Sequence, residues 1–187
     1  HYMSEQAKQT GIDFKVAVDV TSVDLAKKEI VIDETETIRA KKIIIATGTS
    51  PNTMNAPGEN ELKGKGISYC ATCDANFFKG LKVAVIGGGD TALEEALYLT
   101  KFAREIIIIH RRDELRGAKI LQQRIQDSDK ISMMLSCVVE EIKGNGLVES
   151  IIVKNVVTGE VAEVPIDGVF VFVGQKPNSE PFVGLLE

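Results

Sequence analysis

Residues 83–92 read Val-Ala-Val-Ile-Gly-Gly-Gly-Asp-Thr-Ala, and this stretch decides the fold of the chain. An apolar run ends in three glycines, and a helix-favouring segment follows. The pattern Gly87-x-Gly89-x-x-Ala92 is typical of the turn between the first strand and first helix of a dinucleotide-binding unit. The glycines permit a tight bend and a close backbone approach to a pyrophosphate, and free N–H groups at the helix start face the phosphates. The candidate nucleotide-binding residues are Gly87, Gly88, Gly89, Asp90, Thr91 and Ala92.

Strand and helix patterns alternate on the C-terminal side of this turn. We expect strands at 82–86 and 105–110, helices at 90–102 and 114–126, short antiparallel strands within 132–166, and a buried strand at 169–174. The sequence therefore predicts an α/β fold: a three-layer Rossmann-like domain with a parallel sheet plus a small antiparallel sheet.

Basic residues follow the second strand of this unit, where an NAD site usually has Asp or Glu to bind the ribose 2′-hydroxyl. Guanidinium groups bind phosphate in a bidentate manner, so the residues here favour a 2′-phosphate and therefore NADP. They are His110, Arg111, Arg112 and Arg116. The alternative is a solvated charged loop in which Asp113 and Glu114 neutralise the arginines. His110 is expected to cap the strand or to lie near the adenine.

A pair of cysteines lies shortly before the glycine turn, in Cys70-Ala71-Thr72-Cys73-Asp74. This spacing fits a redox dithiol, half of a zinc site, or two incidental core cysteines. Zinc needs a second pair of ligands, and Cys137 is solitary, so we predict no metal. Asp74 is better placed to exchange a proton with the dithiol than to stabilise a thiolate. We expect Cys137 to be a buried, inert residue.

The flanking segments differ in character from this unit. We expect a helix at 4–10, strands at 12–20 and 42–48, a hairpin at 28–33 and 36–39, and an extended loop at 49–66. Segments 48–52 and 174–178 share the pattern Gly-x-x-Pro-Asn, as expected where a chain crosses into and out of an inserted domain. We therefore divide the chain into residues 1–50, 51–176 and 177–187.

Composition limits the classes of function. The formal net charge of −5 argues against nucleic-acid binding. No apolar run approaches the roughly 20 residues of a membrane span, and no signal peptide is visible. Three cysteines in 187 residues suit a reducing compartment, so we expect a cytoplasmic protein.

From about residue 41 to 186 the chain resembles the low-molecular-weight thioredoxin reductases, a branch of the pyridine-nucleotide-disulfide oxidoreductases. The motifs that carry the resemblance are residues 45–48, 70–74, 87–92, 94–98, 110–113 and 173–178. The resemblance implies an NADPH-dependent thioredoxin-disulfide reductase in which electrons pass from NADPH to FAD, to the Cys70–Cys73 pair, and to thioredoxin. It also implies a homodimer.

The resemblance implies a role for each site residue as well. Cys73 is the thiol near the flavin, Cys70 attacks the partner disulfide, and Asp74 is the acid/base. The arginines Arg111, Arg112 and Arg116 hold the 2′-phosphate. In that family the NADPH domain is inserted in an FAD domain with its own glycine motif and a closing Gly-Asp segment.

Neither of those FAD motifs occurs in this sequence. We therefore expect residues 1–50 and 177–187 to be partial FAD-domain segments around an NADPH/dithiol module (51–176) that is not competent alone.

Two other functions stay open. A peroxiredoxin-reductase-type flavoprotein of the same group usually carries Cys-Pro-His-Cys and uses NADH, which Ala71, Thr72 and the arginines disfavour. A stand-alone NADP-binding or sensor module would bind the nucleotide without turnover. A ferredoxin–NADP reductase of this group lacks the dithiol and is excluded.

Overall fold

The computed structural model describes residues 2–185, which form two compact units. Unit 1 combines the described residues up to Thr49 with those from Pro177 onward, and unit 2 runs from Ser50 to Lys176. That these units correspond to an FAD-binding and an NADPH-binding domain stays a prediction.

Unit 1 contains a helix, a three-stranded sheet and a short 3₁₀ turn at Glu180–Phe182. Its regular elements are α1 (Tyr2–Gln9), β1 (Val20–Asp24), β2 (Glu29–Ile32) and β3 (Glu36–Arg39). The strands pair antiparallel in the order β1-β2-β3, which confirms the predicted hairpin.

Two predicted strands of unit 1 are wrong. Segment 12–20 is irregular up to its last residue, because Ala17 has a φ of +55°, which an extended strand does not accommodate. Segment 42–48 is also irregular, and Ile44 is 90% exposed. A β-branched run needs a partner strand, and none within residues 2–185 pairs with this one.

Unit 2 carries the elements around the motifs. They are β4 (Thr49–Pro51), β5 (Ile67–Ser68), α2 (Ala71–Asp74), β6 (Lys82–Ile86), α3 (Asp90–Leu99), β7 (Glu105–His110), α4 (Lys119–Gln126), β8 (Ile131–Leu135), β9 (Cys137–Lys143), β10 (Ser150–Asn155), β11 (Val161–Pro165), β12 (Gly168–Val171) and β13 (Gln175–Pro177). A 3₁₀ turn, Ala75–Phe78, continues α2. Strand β4 pairs with β13 as a two-stranded ribbon, in which Thr49 and Pro177 are counted with unit 1 and the other residues with unit 2.

The main sheet of unit 2 is parallel, with five strands in the order β5-β12-β6-β7-β8. A second, antiparallel sheet has the order β9-β10-β11. Because side chains alternate along a strand, β6 sends Val83 and Val85 into one core and Ala84 and Ile86 into the other. The first core lies against α3 and α4 and the second against the antiparallel sheet. The predicted three-layer α/β architecture is confirmed.

Several boundaries of unit 2 differ from those predicted. Helix α3 ends at Leu99 and not near Phe102, and the strand expected at 169–174 is β12, which ends at Val171. The helix expected from Glu114 begins only at Lys119, because backbone hydrogen bonds to Gly88 hold the preceding residues as a loop. The strand at Ile131–Leu135 joins the parallel sheet beside β7 and not the antiparallel sheet.

Candidate functional site

The glycine turn joins β6 to α3 at the carboxyl edge of the parallel sheet. Gly87 has a φ of +146°, and a Cβ there would lie 2.5 Å from the Phe172 carbonyl oxygen and 2.9 Å from the Ala92 Cβ. Gly87 and Ala92 are therefore required by packing, as the motif predicts. A Cβ on Gly88 would lie 2.6 Å from the His110 ring.

Gly89 differs from its two neighbours. It precedes α3, no side chain caps that helix, and a Cβ built on Gly89 would meet nothing within 4 Å. The first amides of a helix have no acceptor within the helix. An open space in front of uncapped amides is the arrangement that accepts a phosphate.

The loop of residues 111–118, here called the arginine loop, lies against this turn. The Gly88 carbonyl accepts the N–H groups of Arg116 (2.7 Å) and Gly117 (3.0 Å). The Asp90 carboxylate accepts the Ala118 N–H at 2.7 Å. These bonds bring the predicted phosphate-binding arginines next to the predicted pyrophosphate turn.

The three arginines of this loop are exposed. Within residues 2–185 none of them forms an ion pair, with Asp113, Glu114 or any other carboxylate. Arg111 and Arg116 line the cavity beside the glycine turn, whereas Arg112 is not among its lining residues. Arg111 and Arg116 therefore border this cavity, and neither has a protein counter-ion within the described residues.

His110 lies beneath the glycine turn and is only 6% exposed. Its Nε2 is buried and has no hydrogen-bond partner within the described residues. Burial lowers the pKa of the imidazole, and the positive charges of Arg116, Arg112 and Arg111 lower it further. A neutral ring therefore supports the turn and faces the cavity.

The cavity has a volume of about 730 Å³ and lies within unit 2. Residues 87–92 all line it, together with His110, Arg111 and Arg116. The open space before α3, the unpartnered His110 nitrogen and the free guanidiniums all fit a phosphorylated dinucleotide.

Other cavity-lining residues were not predicted. They include Asn52, Met54, Tyr69, Val138, Phe172 and Gln175. The repeated Gly-x-x-Pro-Asn pattern did single out the chain around Asn52, whose N–H donates to the Gly174 carbonyl at 3.0 Å. It gave no sign that this crossing borders the nucleotide cavity.

The two cysteines of the motif are joined as a Cys70–Cys73 disulfide, with their Cα atoms 5.3 Å apart. Cys70 precedes α2, and its Sγ accepts the Cys73 N–H at 3.2 Å. Cys73 is exposed and Cys70 is half-buried. An amide directed at Cys70 Sγ stabilises a thiolate there when the disulfide is reduced.

Asp74 is held by a hydroxyl that the motif did not reveal. The buried Ser68 lies 2.7 Å from Asp74 Oδ2 and 3.1 Å from the Cys70 carbonyl, and it accepts the Cys70 N–H at 3.0 Å. A hydroxyl has one proton, so it donates to the carboxylate or to the carbonyl. Ser68 therefore holds the Asp74 carboxylate next to the backbone of Cys70.

Tyr69 connects the dithiol segment to the cavity, because it lines the cavity and directly precedes Cys70. Its hydroxyl donates to the Glu59 carboxylate at 2.7 Å, and Glu59 also accepts the Met54 N–H at 3.1 Å. Burial and the neighbouring carboxylate raise the pKa of Tyr69, so the phenol stays protonated.

Glu95 lies in the middle of α3 and faces α2, the short helix that contains Cys73. Burial raises the pKa of its carboxyl, while the amides of Ala71 and Thr72 act in the opposite direction. Helix α3 therefore supports the nucleotide turn at its start and the dithiol segment one turn later.

Cys137, the third cysteine, is not part of the disulfide. Within residues 2–185 no group of His, Cys, Asp and Glu is arranged to hold a metal. Cys137 is free and buried, as expected, and burial raises the pKa of its thiol.

The described residues of unit 1 contain no second unit of strand, glycine turn and helix of the kind that binds a dinucleotide. In unit 1 the glycine turn at Gly48 leads into β4, and no helix follows a glycine turn in its described residues.

No helix within residues 2–185 has the length and apolar character of a membrane span.

Comparisons with known proteins show the family of the chain. The family described as "Pyridine nucleotide-disulphide oxidoreductase" matches residues 2–185. The thioredoxin reductase of Peptoclostridium acidaminophilum is 49% identical over 97% of this chain and 60% of its own length. The thioredoxin reductase of Bacillus subtilis is 41% identical over 98% of this chain and 58% of its own length.

Solved structures give the same result. A thioredoxin reductase of Lactococcus lactis superposes with a TM-score of 0.86 at 41% identity, over 98% of this chain and 61% of that one. The chain spans about 60% of the length of these relatives. With its disulfide and dinucleotide turn on one compact unit, the chain belongs to the pyridine nucleotide-disulphide oxidoreductase family.

Proposed function

We propose that this chain is the NADPH-binding and dithiol-bearing part of an NADPH-dependent thioredoxin-disulfide reductase. The observation that carries the proposal is the Cys70–Cys73 disulfide in the same compact unit as the dinucleotide cavity. Relatives of this name that are 41% to 49% identical over nearly the whole chain support it.

NADPH rather than NADH is the proposed nucleotide. The pyrophosphate lies at the amides of the turn formed by Gly87, Gly88, Gly89, Asp90, Thr91 and Ala92. The 2′-phosphate is held by Arg111 and Arg116, with Arg112 and His110 beside them. Two cavity-lining guanidiniums without ion-pair partners supply the charge that a phosphate dianion needs.

When bound, NADPH supplies a hydride, which carries the two electrons that a disulfide takes up on reduction. FAD is the proposed intermediary of the enzyme. The described residues of this chain do not supply its site, so we assign FAD binding to the part of such an enzyme that this chain does not span.

The residues of this chain perform the thiol exchange. The Cys70 thiolate attacks one sulfur of the thioredoxin disulfide, which forms a mixed disulfide and releases one thioredoxin thiolate. The Cys73 thiolate then attacks Cys70 Sγ, which restores the Cys70–Cys73 bond and releases the second thiolate. Asp74, held by Ser68, exchanges the protons that the two leaving thiolates and the re-formed dithiol require.

Thioredoxin is the proposed partner, and the surface beside the dithiol supports a protein partner. Phe77, four residues after Cys73, is 78% exposed, although large aromatic side chains are usually buried. We further propose a cytoplasmic homodimer that binds neither nucleic acid nor membranes.

A single-turnover experiment tests the dithiol role with this chain alone. The chain is reduced, freed of reductant, and mixed with oxidised thioredoxin in the absence of NADPH and FAD. We expect one thioredoxin disulfide reduced per chain, as measured by alkylation and mass spectrometry. Cys73→Ser has no resolving thiol and is expected to reduce none.

The same experiment distinguishes the alternatives. A reduced wild-type chain that leaves thioredoxin oxidised would contradict the proposal and favour a stand-alone NADP-binding module. Addition of NADPH and FAD to the oxidised chain is expected to give no turnover, since the described residues hold no flavin site.

A further inference from the structure

Asp90 is the first residue of α3; it is exposed and lies among the residues that line the cavity. The motif groups it with the pyrophosphate-binding residues. Its side chain does not cap α3, and Oδ1 accepts the N–H of Ala118, which directly precedes α4. One carboxylate therefore links the start of α3 to the end of the arginine loop.

This bond acts on Arg116 in particular. The Arg116 N–H donates to Gly88, and the Ala118 N–H, two residues later, donates to Asp90. Between them Gly117 lies so close to α3 that a Cβ there would be 2.6 Å from Leu93 Cδ1 and 3.3 Å from the Asp90 N. The backbone that carries the Arg116 guanidinium is thus fixed on both sides.

Fixing a loop before a ligand arrives removes an entropic cost from binding. Only a ligand that contacts Arg116 benefits from that fixation. NADPH has the 2′-phosphate proposed to contact Arg116, and NADH lacks it. The negative charge of Asp90 is unfavourable beside phosphates, so its accepting oxygen is the feature that the site uses.

We propose that the Asp90 side chain is a positioning group that sets the preference for NADPH over NADH by holding the arginine loop, and not by a side-chain contact with the cofactor. This inference rests on the proposed function, because it takes Arg111 and Arg116 as the ligands of the 2′-phosphate.

Two substitutions separate the accepting oxygen from the charge. Asp90→Asn and Asp90→Ala remove the same negative charge, but only asparagine keeps an acceptor for the Ala118 N–H. Both variants are expected to fold, since Gly88 still accepts Arg116 and Gly117. Gln122 Nε2 also still donates to the carbonyl oxygens of Gly117 (2.7 Å) and Leu115 (3.1 Å).

The measurement is calorimetric titration of wild type and both variants with NADPH and, separately, NADH. We expect the ratio of the two affinities to be unchanged in Asp90→Asn and to fall about three- to tenfold in Asp90→Ala, the loss of one hydrogen bond. The ratio is the readout because loss of charge near the pyrophosphate affects both cofactors.

Hydrogen exchange gives a readout that is independent of the cofactor. The Ala118 amide is expected to be protected in wild type and Asp90→Asn and unprotected in Asp90→Ala. Equal affinity ratios in the two variants, or a protected Ala118 amide in Asp90→Ala, would overturn the role of Asp90 but leave the proposed function standing. Equal affinity of the wild-type chain for NADPH and NADH would overturn the proposed function, and this inference with it.

Discussion

Arg111 lines the cavity beside the glycine turn and has no ion-pair partner within residues 2–185. A charge in that position is available to a ligand without first breaking an internal bond. Arg112, the next residue, is not among the residues that line the cavity. Its carbonyl accepts the Ser136 N–H at 2.8 Å. Adjacent arginines of one motif therefore differ in what they face.

We predict that Arg111→Ala weakens NADPH binding much more than NADH binding. A charge-assisted hydrogen bond contributes about 1.5–3 kcal/mol, so the affinity for NADPH should fall about tenfold or more. Calorimetric titration measures both affinities. Arg124→Ala is the matched control, because Arg124 is an exposed arginine on α4 outside the cavity lining. Equal weakening of both cofactors by Arg111→Ala would refute the 2′-phosphate assignment.

Within the turn between β6 and α3, the physical reason for having a glycine differs from one position to the next. Gly88 is packed against the His110 ring of β7, so it joins two strands and the turn into one rigid piece. Gly89 faces open space, so nothing in the protein itself requires a glycine there. Gly88 is therefore required by packing, whereas the glycine at position 89 is explained by the proposed ligand.

This difference predicts opposite outcomes for two alanine substitutions. Gly88→Ala should lower the free energy of unfolding by about 1–3 kcal/mol, because its Cβ would lie 2.6 Å from the ring of the buried His110. Gly89→Ala should leave stability nearly unchanged and lose nucleotide affinity, because its Cβ occupies the space before the α3 amides. Urea denaturation and calorimetric titration measure the two effects. Full nucleotide affinity in a stable Gly89→Ala protein would contradict phosphate binding in the space before the α3 amides.

The start of α4 shows how one element is limited by another. The sequence from Glu114 onward favours a helix, but Arg116 and Gly117 donate to Gly88 instead of to carbonyls of their own turn. Because of these bonds the helix is about one turn shorter than predicted, and the arginine loop stays beside the cavity. The helix begins where the contacts with the glycine turn end.

For the whole molecule, His110 makes stability depend on pH. Its pKa is lowered from the ordinary value of 6.5, first by burial and then by the nearby arginines. Below that value the unfolded chain binds a proton at this residue that the folded chain does not. The free energy of unfolding should therefore fall as the pH drops from 7 towards 5, with a slope of at most about 1.4 kcal/mol per pH unit from this group.

His110→Gln removes this contribution and isolates it. Urea denaturation of both proteins at pH 7.5 and 5.5 measures the difference, which should be larger for wild type. Glu95 has a raised pKa and acts in the opposite direction, and it is present in both proteins. An identical pH dependence of the two proteins would contradict a buried, neutral His110.

The sequence by itself determined the α/β unit, the dinucleotide turn and the dithiol. These features are local: Gly87, Gly89 and Ala92 follow from the geometry of one turn, and Cys70 and Cys73 are close enough in sequence to pair. Their spacing carries the information, because short-range sterics fix the backbone there. Ser68 and Tyr69 were missed, since a serine or tyrosine beside a motif has no spacing that distinguishes it.

Only the tertiary structure decided which residues meet. Segment 42–48 has strand composition but no partner strand within residues 2–185, and a strand depends on hydrogen bonds that its own sequence does not provide. The bonds from the arginine loop to Gly88 and Asp90 join residues about 28 positions apart in sequence. Such contacts depend on how β6 and β7 lie side by side, and no local pattern records them.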